Sequence, residues 1–111
     1  DLDAAERERN LAAIPALHRA KTDYYAGLVA TGRVALRPGI ARLVAEARAA
    51  GLKLAVATTT TLDNVHALLR GTLGAGSFGW FHAVGAGDDV PRKKPAPDVY
   101  HYVLDVLGLE A

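Results

Sequence analysis

Apolar side chains recur at intervals of three and four along several stretches of the chain, and run together in two short ones. Residues 4–13 are helix-prone but carry alternating charge and little apolar periodicity, which predicts a solvated helix. Pro15 suits a first helical turn, where its missing N–H would have no partner anyway. A stronger helix is therefore expected from Pro15 to about Ala30, with Leu17, Ala20, Tyr24, Leu28 and Thr31 on its buried stripe. Gly32 ends it, and Val34 to Gly39 is expected to be extended, because a residue before proline is pushed out of the helical region. Ile40, Leu43, Val44 and Ala47 mark a second helix closed by Gly51. Leu52 to Ala57, broken only by Lys53, reads as a strand buried on both faces, as in a parallel sheet. Val65, Leu68 and Leu69 give a third helix, whose start Thr60-x-x-Asp63 would cap. Gly71 to Gly79 reads as a loop, and Trp80-Phe81 with His82 to Gly85 as a second strand. Pro95 and Pro97 bracket the start of a last helix, with Asp98 in its first turn and Val99, Tyr102, Val103, Val106 and Leu107 on its buried stripe.

From about residue 39 the order helix, strand, helix, strand, helix predicts an α/β layer with a parallel sheet and flanking helices. Residues 1–33 are all helical and read as a separate body. In such a sheet, ligands bind outside the carboxyl ends of the strands. Thr58-Thr59-Thr60-Thr61 falls there, leading into a helix. Hydroxyls and free N–H groups at a helix N-terminus suit a phosphate oxygen; the same threonines could equally do no more than cap the helix. Lys93-Lys94 follows the second strand, where an ammonium would neutralise phosphate or stabilise a transferring phosphoryl group, unless the pair is merely solvated. His18 and Lys21 share a helix face with Tyr24 and Tyr25 beyond, placed either to meet the far end of a bound anion or to face water. His66, His82 and His101 lack metal-ligand spacing. Asp88 and Asp89 are expected to face water, Asp98 to serve its helix, and Trp80-Phe81 to belong to the core.

Composition narrows the classes. The chain has 111 residues, half of them apolar, and its 13 basic against 12 acidic side chains leave a net charge of +1. That balance lacks the basic excess of a nucleic-acid binder. No stretch approaches the length of a membrane span. The absence of Cys removes disulfides, Cys-based zinc sites and thiol nucleophiles, and is compatible with a reducing, cytoplasmic setting. The chain has no initiator Met, and its last residues, Gly108 to Ala111, stop where a helix ends. We expect it to be an internal segment of something longer.

Leu54-Ala55-Val56-Ala57-Thr58-Thr59, Gly87-Asp88-Asp89-Val90 and Lys94-Pro95-Ala96-Pro97-Asp98-Val99-Tyr100 resemble the second and third motifs of the haloacid-dehalogenase-like (HAD) hydrolases. The subgroup is the one with a helical cap that contains phosphoglycolate phosphatase and β-phosphoglucomutase. Leu17-His18-Arg19-Ala20-Lys21-Thr22, Leu36-Arg37-Pro38-Gly39, the threonine run with Asn64, and Lys93-Lys94-Pro95 resemble its CbbY-type branch of sugar-bisphosphate phosphatases. The resemblance implies a partial Rossmann-like core over residues 40–111, a hinge at 35–39 and the C-terminal part of a cap over 1–34. It implies that Thr58, with the N–H of Thr59, binds a phosphoryl oxygen, that Lys94 holds the phosphoryl group, and that Asn64, His18 and Lys21 join the substrate site. In this family an Asp attacks phosphorus to give an aspartyl-phosphate, a second Asp two positions later is acid and base, and Mg²⁺ is the cofactor.

The DxDGT motif that carries both aspartates is absent. Asp1-Leu2-Asp3 has its spacing, but no strand precedes it and no Gly-Thr follows, so the match is taken as coincidence. The fourth motif, with the metal ligands, would lie past Ala111. The resemblance therefore implies a parent that is a Mg²⁺-dependent phosphatase of small phosphorylated sugars, monomeric and cytoplasmic, with neither nucleic acid nor membrane as partner. The chain alone would be inactive and prone to associate through exposed strand edges. A phosphomutase of the same family, or a non-catalytic phosphate-binding or interaction module, stands as the alternative.

Overall fold

In the computed structural model, which describes residues 3–111, eight elements follow one another. They are α1 (Ala4–Ala30), α2 (Ile40–Ala49), β1 (Ala55–Ala57), α3 (Leu62–Thr72), a 3-10 turn (Ser77–Trp80), β2 (Ala83–Gly85), a second 3-10 turn (Gly87–Asp89) and α4 (Asp98–Leu107). Among the described residues no helix is long and apolar enough to cross a membrane.

The first helix starts at Asp3, whose Oδ1 accepts from the Glu6 N–H at 2.7 Å. Asp1 and Leu2, the rest of the DxD match, lie outside the described residues. The expected break at Pro15 does not occur: α1 is one helix of 27 residues with Pro15 inside it. Proline there deletes the bond to the Leu11 carbonyl, but Leu11 is 60% exposed, so water reaches the oxygen that is left. The expected stripe is also displaced. Tyr24 is 72% exposed, and the face turned inward carries Thr22, Tyr25, Ala26 and Val29. α1 packs on α3, where Val29 lies so close that a Cβ on Gly71 would sit 3.1 Å from its Cγ1.

β1 and β2 are parallel, in the register Ala55–Ala83, Val56–Val84 and Ala57–Gly85, as an alternating α/β order requires. α4 covers the pair. Val99 is 1% exposed and Val103 is also buried, each burial stabilising by roughly 1.5–3 kcal/mol. The packing is so close that a Cβ on Gly85 would meet Val103 at 2.8 Å and Val99 at 2.9 Å. Two further expectations are corrected. The first strand is not buried on both faces, since Ala55 is exposed and Val56 only half-buried; a second strand and one helix do not enclose it. Trp80 and Phe81 are not strand. Gly76, at φ 85°, turns the chain into the Ser77–Trp80 turn, and the buried Ser77 hydroxyl anchors that turn by donating to the Leu69 carbonyl at 3.0 Å. Trp80 is half-buried, with the Arg48 guanidinium 4.0 Å above its ring, which ties α2 to the turn.

Candidate functional site

The carboxyl ends of β1 and β2 carry the chemistry. Pairing continues one residue past the strand, with the Thr58 N–H donating to the Gly85 carbonyl at 2.9 Å, and then the chain turns. The Thr58 Oγ1 accepts from the Thr60 N–H at 3.2 Å, and the Thr60 Oγ1 accepts from Asn64 Nδ2 at 2.8 Å. The helix cap is Thr61, one residue after the expected Thr60: its Oγ1 accepts from the Asn64 N–H at 3.3 Å. Thr58, Thr60 and Thr61 all serve as acceptors here, so each keeps its hydroxyl proton to donate to an anion. The Thr59 N–H donates to nothing among the described residues. The run thus caps the helix and also leaves donors at the positive end of its dipole.

Lys94 reaches the same rim. Its Nζ donates to the Ala57 carbonyl at 2.8 Å, one residue before Thr58, and stands 5.0 Å from the centre of the Tyr100 ring. Its neighbour Lys93 turns the other way, into a cleft of about 620 Å³ that Lys94 does not line. One wall of this cleft is Thr58 to Thr61 with Asn64, and the other is His18, Lys21, Thr22 and Tyr25 of α1. Thr58, Thr59, Asn64, His18 and Lys21 therefore line one cleft, while Lys94 lies outside that lining, tied to the carbonyl of Ala57 at the strand end. Lysines 21 and 93 against the single carboxylate of Asp88 leave the cleft with a positive balance.

The loop before Lys94 is held by Arg92, whose guanidinium binds Asp98 at 2.9 and 3.1 Å; Asp98 thus has a partner besides its helix dipole. His66 stacks on Phe78 with ring centres 3.7 Å apart, and His82 Nδ1 accepts from the Leu54 N–H at 3.0 Å. Asp89 is turned to the backbone, accepting from the Ala86 N–H. Among the described residues no three His, Asp or Glu side chains converge where a metal ion would sit, so residues 3–111 alone do not fit the magnesium that the resemblance implies.

The sequence offered Lys93 as one of a lysine pair and Tyr25 beyond His18 and Lys21, but assigned neither these two nor Thr22 to the site, and the structure puts all three in the cleft lining. Thr22 and Tyr25 were within reach, since counting on from His18 by four and seven arrives at both. Lys93 carried no such signal: adjacent residues of an irregular loop diverge, and only the fold says which one enters the cleft.

A haloacid dehalogenase-like hydrolase family profile matches residues 2–111. The CbbY protein of Cupriavidus necator is 56% identical over 98 residues, covering 88% of this chain and 39% of its own length. Two crystal structures of CbbY from Rhodobacter sphaeroides, one in complex with phosphate and one with xylulose-(1,5)bisphosphate, superpose with a TM-score of 0.79 at 51% identity. Each match covers 86% of this chain and 43% of that one, so the chain spans less than half the length of these relatives.

Proposed function

The chain belongs to the haloacid dehalogenase-like hydrolases, and on that membership we propose that the whole protein is a magnesium-dependent phosphatase of small sugar bisphosphates. The observation that carries the proposal is that the Lys94 ammonium is held on the Ala57 carbonyl, at the strand end from which the Thr58–Thr61 hydroxyls enter a positively balanced cleft. The bisphosphate in the related Rhodobacter protein supports the substrate class.

In this proposal the Thr58 hydroxyl and the Thr59 N–H hold non-bridging oxygens of the transferring group, and Lys94 offsets the charge that builds on it. A carboxylate from outside residues 3–111 attacks phosphorus, and the sugar alcohol leaves with a proton from an acid. Water then cleaves the aspartyl-phosphate to orthophosphate, regenerating the carboxylate. His18, Lys21 and Lys93 bind the second phosphate, and Asn64 keeps the loop in place through Thr60. The same proposal takes residues 1–34 as part of a cap, 35–39 as a hinge and the whole protein as a cytoplasmic monomer. The open edge of β1 would make the 111-residue chain associate when isolated, and a monomer in sedimentation would count against that.

The test is orthophosphate release by the full-length protein from sugar bisphosphates, with and without Mg²⁺. Release that needs the ion is the expected result. No release from any small phosphoester would end the proposal, and phosphate moved within the sugar without release would point to a mutase.

A further inference from the structure

We propose that Asp89, which does not line the cleft, is a positioning residue that sets the shape of the Thr58–Thr61 loop through the Ala86–Gly87 turn. This deepens the phosphoryl-binding reading above and rests on it. Asp89 Oδ2 accepts from the Ala86 N–H at 2.8 Å while the Asp89 N–H donates to the Ala86 carbonyl at 3.1 Å, closing the turn from both sides. Ala86 is 2% exposed, so without the carboxylate its N–H would be buried with no partner. The next amide, that of Gly87, donates to the Thr60 carbonyl at 2.8 Å.

Gly87 also admits no side chain. A Cβ there would land on the Thr59 carbonyl oxygen and 2.9 Å from its carbon. With Thr58 N–H on the Gly85 carbonyl, residues 85–87 grip residues 58–60 by two hydrogen bonds around one close backbone contact. The chain of contacts runs from the Asp89 carboxylate through two amides to the Thr60 carbonyl, in the loop that presents the Thr58 hydroxyl and the Thr59 N–H. The adjacent carboxylates thus divide their work: Asp88 faces the cleft and Asp89 holds the backbone that shapes it.

The experiment uses the full-length protein, measuring orthophosphate affinity by titration calorimetry, phosphoester turnover and the thermal midpoint. Asparagine at this position keeps an oxygen for the Ala86 N–H and loses only the charge. Asp89→Ala should weaken orthophosphate binding and lower kcat by at least about tenfold, while Asp89→Asn stays within about twofold of wild type. An Asp89→Asn protein as impaired as Asp89→Ala overturns the proposal, because charge and not the hydrogen bond would then matter. So does an Asp89→Ala protein whose thermal midpoint falls while its phosphate affinity holds, which marks a merely structural role. If Asp89→Ala does not fold, Gly87→Ala strains the same loop from its other side, and wild-type affinity in that variant overturns the proposal. A wild type that binds orthophosphate yet hydrolyses nothing defeats the phosphatase reading and leaves the affinity series to decide Asp89. A wild type that binds no orthophosphate defeats both.

Discussion

The two walls of the cleft are built by different forces. The sheet-side wall is backbone: Thr58, Thr60 and Gly87 are joined to each other and to β2 by main-chain hydrogen bonds, and the threonine hydroxyls are fixed by short-range bonds to Thr60 and Asn64. The α1 wall is side chains on one helical face, attached to the rest where α1 meets α3 and Val29 lies against Gly71. Upstream of that attachment, Ile14 and Leu17 are exposed. A backbone wall has little freedom and suits a group of constant shape, such as a phosphoryl group. A wall of long side chains adjusts to whatever the rest of a substrate presents. In the proposed function, chemistry falls on the rigid side and discrimination on the adaptable one.

That contrast breaks most visibly at Lys94. In the full-length protein Lys94→Ala should lower kcat by about 10²–10³-fold for every phosphoester tried, since it removes a donor aimed at developing charge. A loss confined to KM would move the residue out of the reacting centre. Thr58→Ala should follow at about 10-fold or more in kcat, through loss of one hydroxyl donor to a charged group; Thr58→Ser should recover most of it, and a serine variant no better than alanine would show that the methyl group is what counts.

On the other wall the effect should shift from kcat to KM. Lys21→Ala on that wall, and likewise Lys93→Ala from the loop before α4, should each raise KM for a sugar bisphosphate by about 3–10-fold with kcat unchanged, because they remove binding shared by ground and transition states. With a monophosphate of the same sugar, neither should change KM. A fall in kcat for both substrates would mean that the walls are not separate. Gly71→Leu tests the attachment itself: a side chain there presses on Val29, and KM for the bisphosphate should rise a few-fold with that for the monophosphate held. Smallest of all is the exposed Arg42–Glu46 pair, with side chains 84% and 62% accessible; Arg42→Ala should cost at most about 0.5 kcal/mol in a denaturant titration.

How much of this was legible in advance differed element by element. The helix over 40–49, the parallel strand pair and the helix starting at Asp98 follow from periodicity and proline placement, signals that operate within a few residues. The Thr58–Thr61 run and Lys94 were identifiable as chemistry because their residue types suit an anion at a strand end. Pro15 misled, since local propensity says that a helix begins there, whereas whether a broken hydrogen bond matters depends on exposure. Trp80 and Phe81 misled for a similar reason, because large aromatic residues favour a strand until a left-handed glycine turns the chain beneath them.

From its sequence alone this protein was bound to be an alternating α/β chain with a hydroxyl-rich strand end and a lysine pair before a proline-initiated helix. Those properties are written in neighbours and near-neighbours, over distances that propensity and capping span. Tertiary structure decided which lysine enters the cleft, which face of α1 looks into it, and why residue 87 carries no side chain. Each of those outcomes is set where segments far apart in the chain come within van der Waals contact, a competition for space that no local pattern encodes.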